Sequence, residues 1–294
     1  MTEEPTASKL ITGDGRTHVG SGLMRESLVS TKLMEETDVG EIRPMVPDIT
    51  MVSIGGSSIM DRGAEAVLPL AREIAALNKD GHKLVLGVGG GARARHTLAI
   101  GLDLGLPLGG LARIVGGVEE QNRDMLQFIL APDGAVTLIK EHFQDLQLFM
   151  SKGMIPVCIG QPPYHFWEPP PKDGRLPENG PDVGLFLMAE ILGAPSMVFV
   201  KDVDGIYDED PNKNPAATRI DKISASELLE RNLRDLPIER EVLRCLENSR
   251  LLLSAVVLNG REPQQLRDYL EGRRVGTLIH NSRYADAEGN GGKS

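Results

Sequence analysis

Two glycine-rich turns and one acidic loop hold the residue types in this chain best suited to chemistry. Lys83–Val88 reads as a short buried strand, Gly89-Gly90-Gly91 follows without a Cβ atom, and helical periodicity resumes at Ala92 with Arg93 and Arg95 in its first turn. Turn amides, the positive end of the helix dipole and two guanidiniums would converge there on a phosphate or another oxyanion. A tight strand-to-helix connection uses the same residues, so the turn alone leaves both readings open; it is neither GxGxxG nor GxxxxGKS/T. A second strand, Ile49–Ile54, stops in Gly55-Gly56-Ser57-Ser58, again a shape that lets amides reach a phosphate. The third stretch, Lys201–Pro211, alternates acids around Asp204, Gly205 and Tyr207, but lacks the acidic ligand at the twelfth position that a calcium loop needs.

A fourth stretch stands apart. Residues 161–181 are crowded with proline around Tyr164, His165, Phe166 and Trp167, which forbids regular helix or ladder pairing. A loop that long inside a compact domain is usually functional or part of an interface. A lone histidine such as His165 is more often a hydrogen-bonded surface residue than a metal ligand. Asp182, just after the loop, is expected to cap the helix 183–192.

The elements that must position these stretches alternate along the chain. Val67, Leu70, Ile74 and Leu77 mark a helix over 64–80 with Pro69 kinking its first turns and Gly81 as its C-cap, so 50–88 is a right-handed parallel βαβ unit. Beyond the Arg93 helix, Leu106–Gly110 reads as a break, and 119–130 as a helix. Strands are expected at 134–140, 154–159, 197–200, 252–258 and 275–280, and helices at 142–152, 238–249, 263–270 and behind a Ser224/Glu227 capping box. About eight strands alternating with helices predict a three-layer αβα sandwich on a mainly parallel central sheet. Ligands of such sheets sit beyond the carboxyl ends of the strands, where both glycine turns and the 201–211 loop lie.

Composition bounds the rest. With 294 residues, 40% of them hydrophobic, the chain can bury a sizeable core, and its formal net charge of −10 argues against a general nucleic-acid binder. Cys158 and Cys245 sit in apolar contexts without metal-ligand spacing and read as buried thiols of a reducing compartment. No apolar run reaches the ~20 residues of a membrane helix and the first residues lack a signal pattern, so a cytoplasmic location and no membrane contact are expected. Residues 1–48 form an arm, either disordered or packed on a neighbouring subunit; 49–281 form the domain; 282–294 form a loose tail.

Five segments in order resemble the amino acid kinase superfamily, and within it the uridylate-kinase-like branch: Ile54-Gly55-Gly56, Gly89-Gly90-Gly91 with Arg95, Val203-Asp204-Gly205-Ile206-Tyr207 with Asp210-Pro211, Val257-Leu258-Asn259, and Gly276-Thr277-Leu278-Ile279. The resemblance covers roughly 50–280 and implies that fold. It also implies Mg²⁺ and ATP as cofactors, with Gly55, Gly56, Ser57, Gly91 and Arg95 on the phosphate side. Lys201, Tyr207 and Asp210 would lie on the nucleotide side, Gly90 would face the second ligand, and Asp204 would be the acid nearest Mg²⁺. Segments 60–64, 91–96, 101–107, 121–122, 162–164 and 258–260 further resemble the oxyanion-storing members of that branch. Those members share the kinase fold and pack molybdate or tungstate into oxide clusters inside a hollow hexamer. The resemblance therefore implies a homo- or hetero-oligomer, with Gln121, Asn122 and His165 near the stored oxyanion.

Two departures bear on activity. Ser53 stands where the kinases carry a lysine that neutralises the transferring phosphoryl group, a contact worth on the order of 3 kcal/mol, and Lys201 is the candidate substitute. His165 stands alone where one type of storing subunit carries a histidine cluster. Three readings follow: an ATP-binding molybdate or tungstate storage subunit, a kinase of a pyrimidine nucleoside monophosphate, and a non-catalytic nucleotide-binding subunit.

Overall fold

A computed structural model describes residues 9–11, 17–19, 44–160, 180–209, 211, 213–214 and 216–284. The first unit, 1–43, contributes strands β1 (Lys9–Ile11) and β2 (Thr17–Val19), paired antiparallel in a two-stranded sheet. The expectation for the remainder of the arm, for the 161–179 stretch with His165, and for the tail beyond 284 lies outside the described residues.

The second unit is built on an eight-stranded sheet. In chain order its strands and partners are β3 (Thr50–Ile54), β4 (Leu84–Val88), β5 (Ala135–Thr137), β6 (Ile155–Ile159), β7 (Ser196–Lys201), the short pair β8 (Ile206–Tyr207) and β9 (Arg219–Ile220), β10 (Lys222–Ser224), β11 (Ser254–Asn259) and β12 (Thr277–His280). The order across the large sheet is β10-β12-β11-β7-β3-β4-β6-β5, and β11–β12 is its only antiparallel pair among the described residues. The expected mainly parallel sheet is present. Helices α1 (Ala64–Lys79), α2 (Gly91–Asp103), α3 (Leu108–Leu130), α4 (Leu146–Ser151), α5 (Pro181–Leu192), α6 (Ala225–Arg231), α7 (Arg240–Asn248) and α8 (Gln264–Leu270) flank it.

Strand alternation divides the core in two. Val52, Ile54, Leu86, Val88, Val198, Val200, Val256 and Leu258 face one side, packed with Leu70 and Ile74 of α1, Leu126 of α3 and Leu266 of α8. Met51, Val85, Met197, Phe199 and Val257 face the other, against Leu185 and Phe186 of α5 and Val242 and Leu246 of α7. Each buried branched side chain contributes about 1.5–3 kcal/mol, so these two layers hold the sheet in place.

The largest departure from the sequence reading is α3. Leu106–Gly110 reads as a break, yet the helix starts at Leu108, behind Pro107 in an extended N-cap, and runs through Gly109, Gly110, Gly116 and Gly117. Glycine costs about 1 kcal/mol per helical position, and tertiary packing overrides it here. The neighbouring α2 is so close that a Cβ on its Gly101 would fall 2.6 Å from the side chain of Leu111. The expected strand 134–140 shortens to β5, and the helix expected at 142–152 divides into a 3-10 turn, Lys140–Asp145, and α4. Cys158 is buried and its thiol pushed up to about 12 by that burial, whereas Cys245 is only half-buried, against expectation. No helix of the described residues is long and apolar enough to cross a membrane.

Candidate functional site

The parity that separates the two core layers also assembles the site. Ser53 shares the face of Met51, and Lys201 that of Met197 and Phe199, so both point toward α5 at the carboxyl ends of adjacent strands. There they meet Asp182 in the first turn of α5. Ser53 Oγ donates to Asp182 Oδ1 at 2.9 Å, and Lys201 Nζ donates to Oδ1 and Oδ2 at 3.0 and 2.8 Å. All three side chains are buried. Asp182 therefore does not cap its helix as expected: it is the counter-ion of Lys201, because a buried ammonium needs a paired, hydrogen-bonded partner.

The glycines are explained first by packing. A Cβ on Gly56 would lie 2.2 Å from the amide nitrogen of Gly91, so the two turns touch backbone to backbone. Gly91 takes φ +70°, and a Cβ there would meet the Asp61 carboxylate. That close approach leaves donors open: among the described residues nothing accepts from the amides of Gly56, Ser57 or Gly90. These amides border a cavity of about 380 Å³, together with Gly55, Gly91, Arg95, Asp182, Lys201, Asp202 and Glu239. The Arg95 guanidinium has no hydrogen-bond or ion-pair partner among the described residues. Unclaimed buried donors plus Arg95 and Lys201 fit a phosphate or another tetrahedral oxyanion.

The wall on the α5 side is acidic. Glu239 Oε2 accepts from the amides of Gly180 and Val183 at 3.0 Å each, and Oε1 from Asp182 at 3.3 Å. Gly180 leaves the room, since a Cβ there would lie 2.3 Å from Glu239 Oε1. Burial first, and the adjacent Asp182 second, raise the Glu239 carboxyl to about 7 against the lowering effect of the three amides.

Of the residues singled out in the sequence, Gly55, Gly56, Ser57, Gly90, Gly91, Arg95 and Lys201 border this one cavity, with Ser53 behind Asp182. Tyr207 borders a smaller cleft of about 300 Å³ that shares Asp202 and Pro237 with it, so the two run on as a groove. Thr277 fixes that arm: its Oγ1 accepts from Ile206 N at 2.7 Å and donates to Ile220 O at 2.5 Å. Asp204 lines neither cavity, and its Oδ1 accepts from Asn259 Nδ2 at 2.9 Å and from Gln265 Nε2 at 3.1 Å. Asp210 and His165 lie outside the described residues.

Gln121 and Asn122 are committed internally as well. Gln121 Oε1 accepts from Arg93 at 2.7 Å, Asn122 Oδ1 accepts from the same guanidinium, and Asn122 Nδ2 donates to Gly89 O at 2.7 Å. They hold the triple-glycine turn against α3 and occupy Arg93, the second guanidinium expected on a phosphate. Sequence reasoning missed Asp61 and Glu239; only the demand of Lys201 for a counter-ion could have directed attention to Asp182. Among the described residues no group of three acidic, histidine or cysteine side chains could hold a metal by itself. A Mg²⁺ at this site would be carried by phosphate oxygens; of the acids lining it, Asp182 is held by Lys201, Asp202 by Arg62 and Glu239 by three amides.

A mostly parallel sheet with a glycine-walled cavity at the carboxyl ends of its strands marks an α/β protein with its pocket where such sheets place theirs. The chain belongs to the amino acid kinase family, whose model matches residues 48–253. It is 38% identical over 257 residues to molybdenum storage protein subunit beta of Azotobacter vinelandii, covering 87% of this chain and 95% of that one. It is 29% identical to the uridylate kinase of Natronomonas pharaonis, covering 78% and 97%. In structure it is similar to the uridylate kinase of Archaeoglobus fulgidus, with a TM-score of 0.62 at 22% identity over 79% of this chain and 99% of that one, which bears on the fold alone.

Proposed function

We propose that this chain is a nucleotide-binding subunit of an oligomeric molybdate or tungstate store. One observation carries the reading: the position of the family lysine is Ser53, turned into a buried hydrogen bond with Asp182, in a chain 38% identical to a molybdenum storage subunit along nearly its whole length. ATP, with Mg²⁺ on its phosphates, would lie along the groove, its phosphates at the open amides of Gly56, Ser57 and Gly90 and its nucleoside toward Tyr207. Lys201 and Arg95 supply the positive charge, and Asp182 holds the Lys201 ammonium in place. Assembly is supported by α3, where Met125, Phe128 and Ile129 share one helical face and Phe128 is 73% exposed.

The runner-up is a nucleoside monophosphate kinase, and the Asp182-anchored Lys201 at the cavity favours it. An ammonium held by a carboxylate can still stabilise charge developing on a phosphoryl group. Elemental analysis of protein purified from cells grown with molybdate and tungstate, run beside a sizing column, separates the two. Several tens of Mo or W atoms co-eluting with a large oligomer are expected. Metal-free protein that phosphorylates UMP in a coupled assay, faster still as Ser53→Lys, would establish the kinase instead.

A further inference from the structure

A second cavity, of about 360 Å³, lies toward the opposite end of the sheet. Ser254 opens β11 and borders it, whereas Asn259, at the far end of the same strand, pairs with Lys201. Among the described residues the two cavities share no lining residue, although Arg219 pairs with Tyr207 of the groove. The loop from Gly272 to Gly276 lines it, together with Val256, Leu278 and Tyr269.

Charge sets this cavity apart. Among the described residues, Arg219, Lys222, Arg273 and Arg274 line it with one carboxylate, Asp221, in a chain whose net charge is −10. Two guanidiniums are held from behind. Arg219 Nε and Nη2 donate to Asp221 Oδ1 at 3.2 and 2.8 Å, and Arg273 Nη2 reaches Asp268 Oδ1 and Glu271 Oε2 at 2.6 Å each. Each of these bonds uses one edge of a planar fork that carries five N–H donors, so donors remain on both. Arg274 has no hydrogen-bond or ion-pair partner among the described residues. The loop that carries Arg273 and Arg274 is pinned, because Gly276, at φ +66°, sits where a Cβ would lie 2.1 Å from Val257 O. Asp221, Asp268 and Glu271 thus offset charge on Arg219 and Arg273, and the Lys222 ammonium lies 4.8 Å from the centre of the Tyr284 ring, while Arg274 adds a further charge to the same cavity.

We infer that this cavity is a second anion site, which takes a compact, multiply charged anion bearing phosphate-type oxygens. Planar guanidinium forks match such oxygens two at a time, and the Lys222 ammonium adds a compact charge. Both inorganic phosphates and the phosphate tail of a nucleotide have this chemistry.

Titration calorimetry of the full chain with inorganic pyrophosphate tests the inference. The proteins compared are wild type, Lys201→Ala, Arg274→Glu and Lys222→Glu, each checked for an unchanged circular dichroism spectrum and oligomeric state. A pyrophosphate-binding step is expected to survive Lys201→Ala, to weaken at least tenfold in Arg274→Glu or Lys222→Glu, and to weaken as salt rises. ATP that competes for this step in Lys201→Ala would identify nucleotide phosphates as the source; ATP without effect would identify free inorganic phosphates. Binding abolished by Lys201→Ala and indifferent to both charge reversals would overturn the second site and leave the first intact.

Discussion

Two helices aim their N-termini at the main cavity, and each receives a carboxylate from elsewhere in the chain. At α2 the acid is Asp61, from the 3-10 turn Met60–Arg62, and it takes one amide, that of Ala92, at 2.6 Å. At α5 the acid is Glu239, which takes three amides beside a second carboxylate, Asp182. The difference lies in the surroundings. Asp61 is exposed to water, whereas Glu239 is largely enclosed and next to a like charge, which leaves it holding a proton near neutrality. A carboxylate at a helix N-terminus is thus a plain cap at one wall and a proton-linked element at the other.

The largest effect expected at the α5 wall comes from Asp182→Ala, which leaves the buried Lys201 ammonium without its carboxylate. Breaking a buried pair on one side costs about 3–5 kcal/mol, which lowers Tm by roughly 10 °C in a domain of this size. Thermal unfolding of Asp182→Ala and Asp182→Asn checks it. A loss below about 1 kcal/mol would mean that the α5 wall is no more demanding than the α2 wall.

Next in size is the pH dependence carried by Glu239. Its carboxyl stands at about 7 in the fold against an ordinary 4.5. The folded state therefore keeps a proton that the unfolded chain loses, so this group's contribution is complete below about pH 4.5 and is lost as pH rises through about 7. The expected fall across that window is at most about 3 kcal/mol. Glu239→Gln keeps an acceptor for the amides but cannot ionise, so urea unfolding between pH 5 and 8 is expected to run flatter in that variant than in wild type. Parallel curves would remove Glu239 from the comparison.

Legibility follows the same division. Local pattern was enough for the central strands, where burial through Met51–Ile54 and Met197–Lys201 is continuous, and for the two glycine turns, whose lack of side chains is itself the signal, but it did not show β8, β9 or β10. It was not enough for Asp182, which sits just after Pro181 and looks like any helix-opening acid, nor for Glu239, which comes 57 residues after Asp182 and reaches it only through the packing of α7 on α5. Nor could it show that Gln121 and Asn122 spend their side chains on Arg93 and Gly89. The helix α3 was hidden because its glycines are unfavourable locally and are compensated only by the nearness of α2. Long-range pairing decides each of these, and no window of sequence contains it.

The smallest expected effect tests the α2 wall. Asp61→Ala removes one cap bond and is expected to cost about 1 kcal/mol, measured by urea unfolding. The contact has a second partner, because a Cβ on Gly91 would sit 2.5 Å from Asp61 Oδ2. Gly91→Ala alone therefore meets both a clash with Asp61 and the left-handed backbone at φ +70°, about 1–2 kcal/mol from the backbone alone. In the Asp61→Ala background only the backbone part remains, so the two changes together should cost less than the sum of their separate effects. Strict additivity would show that Asp61 yields freely to a side chain at Gly91, and that the exposed wall is held by its backbone rather than by its cap.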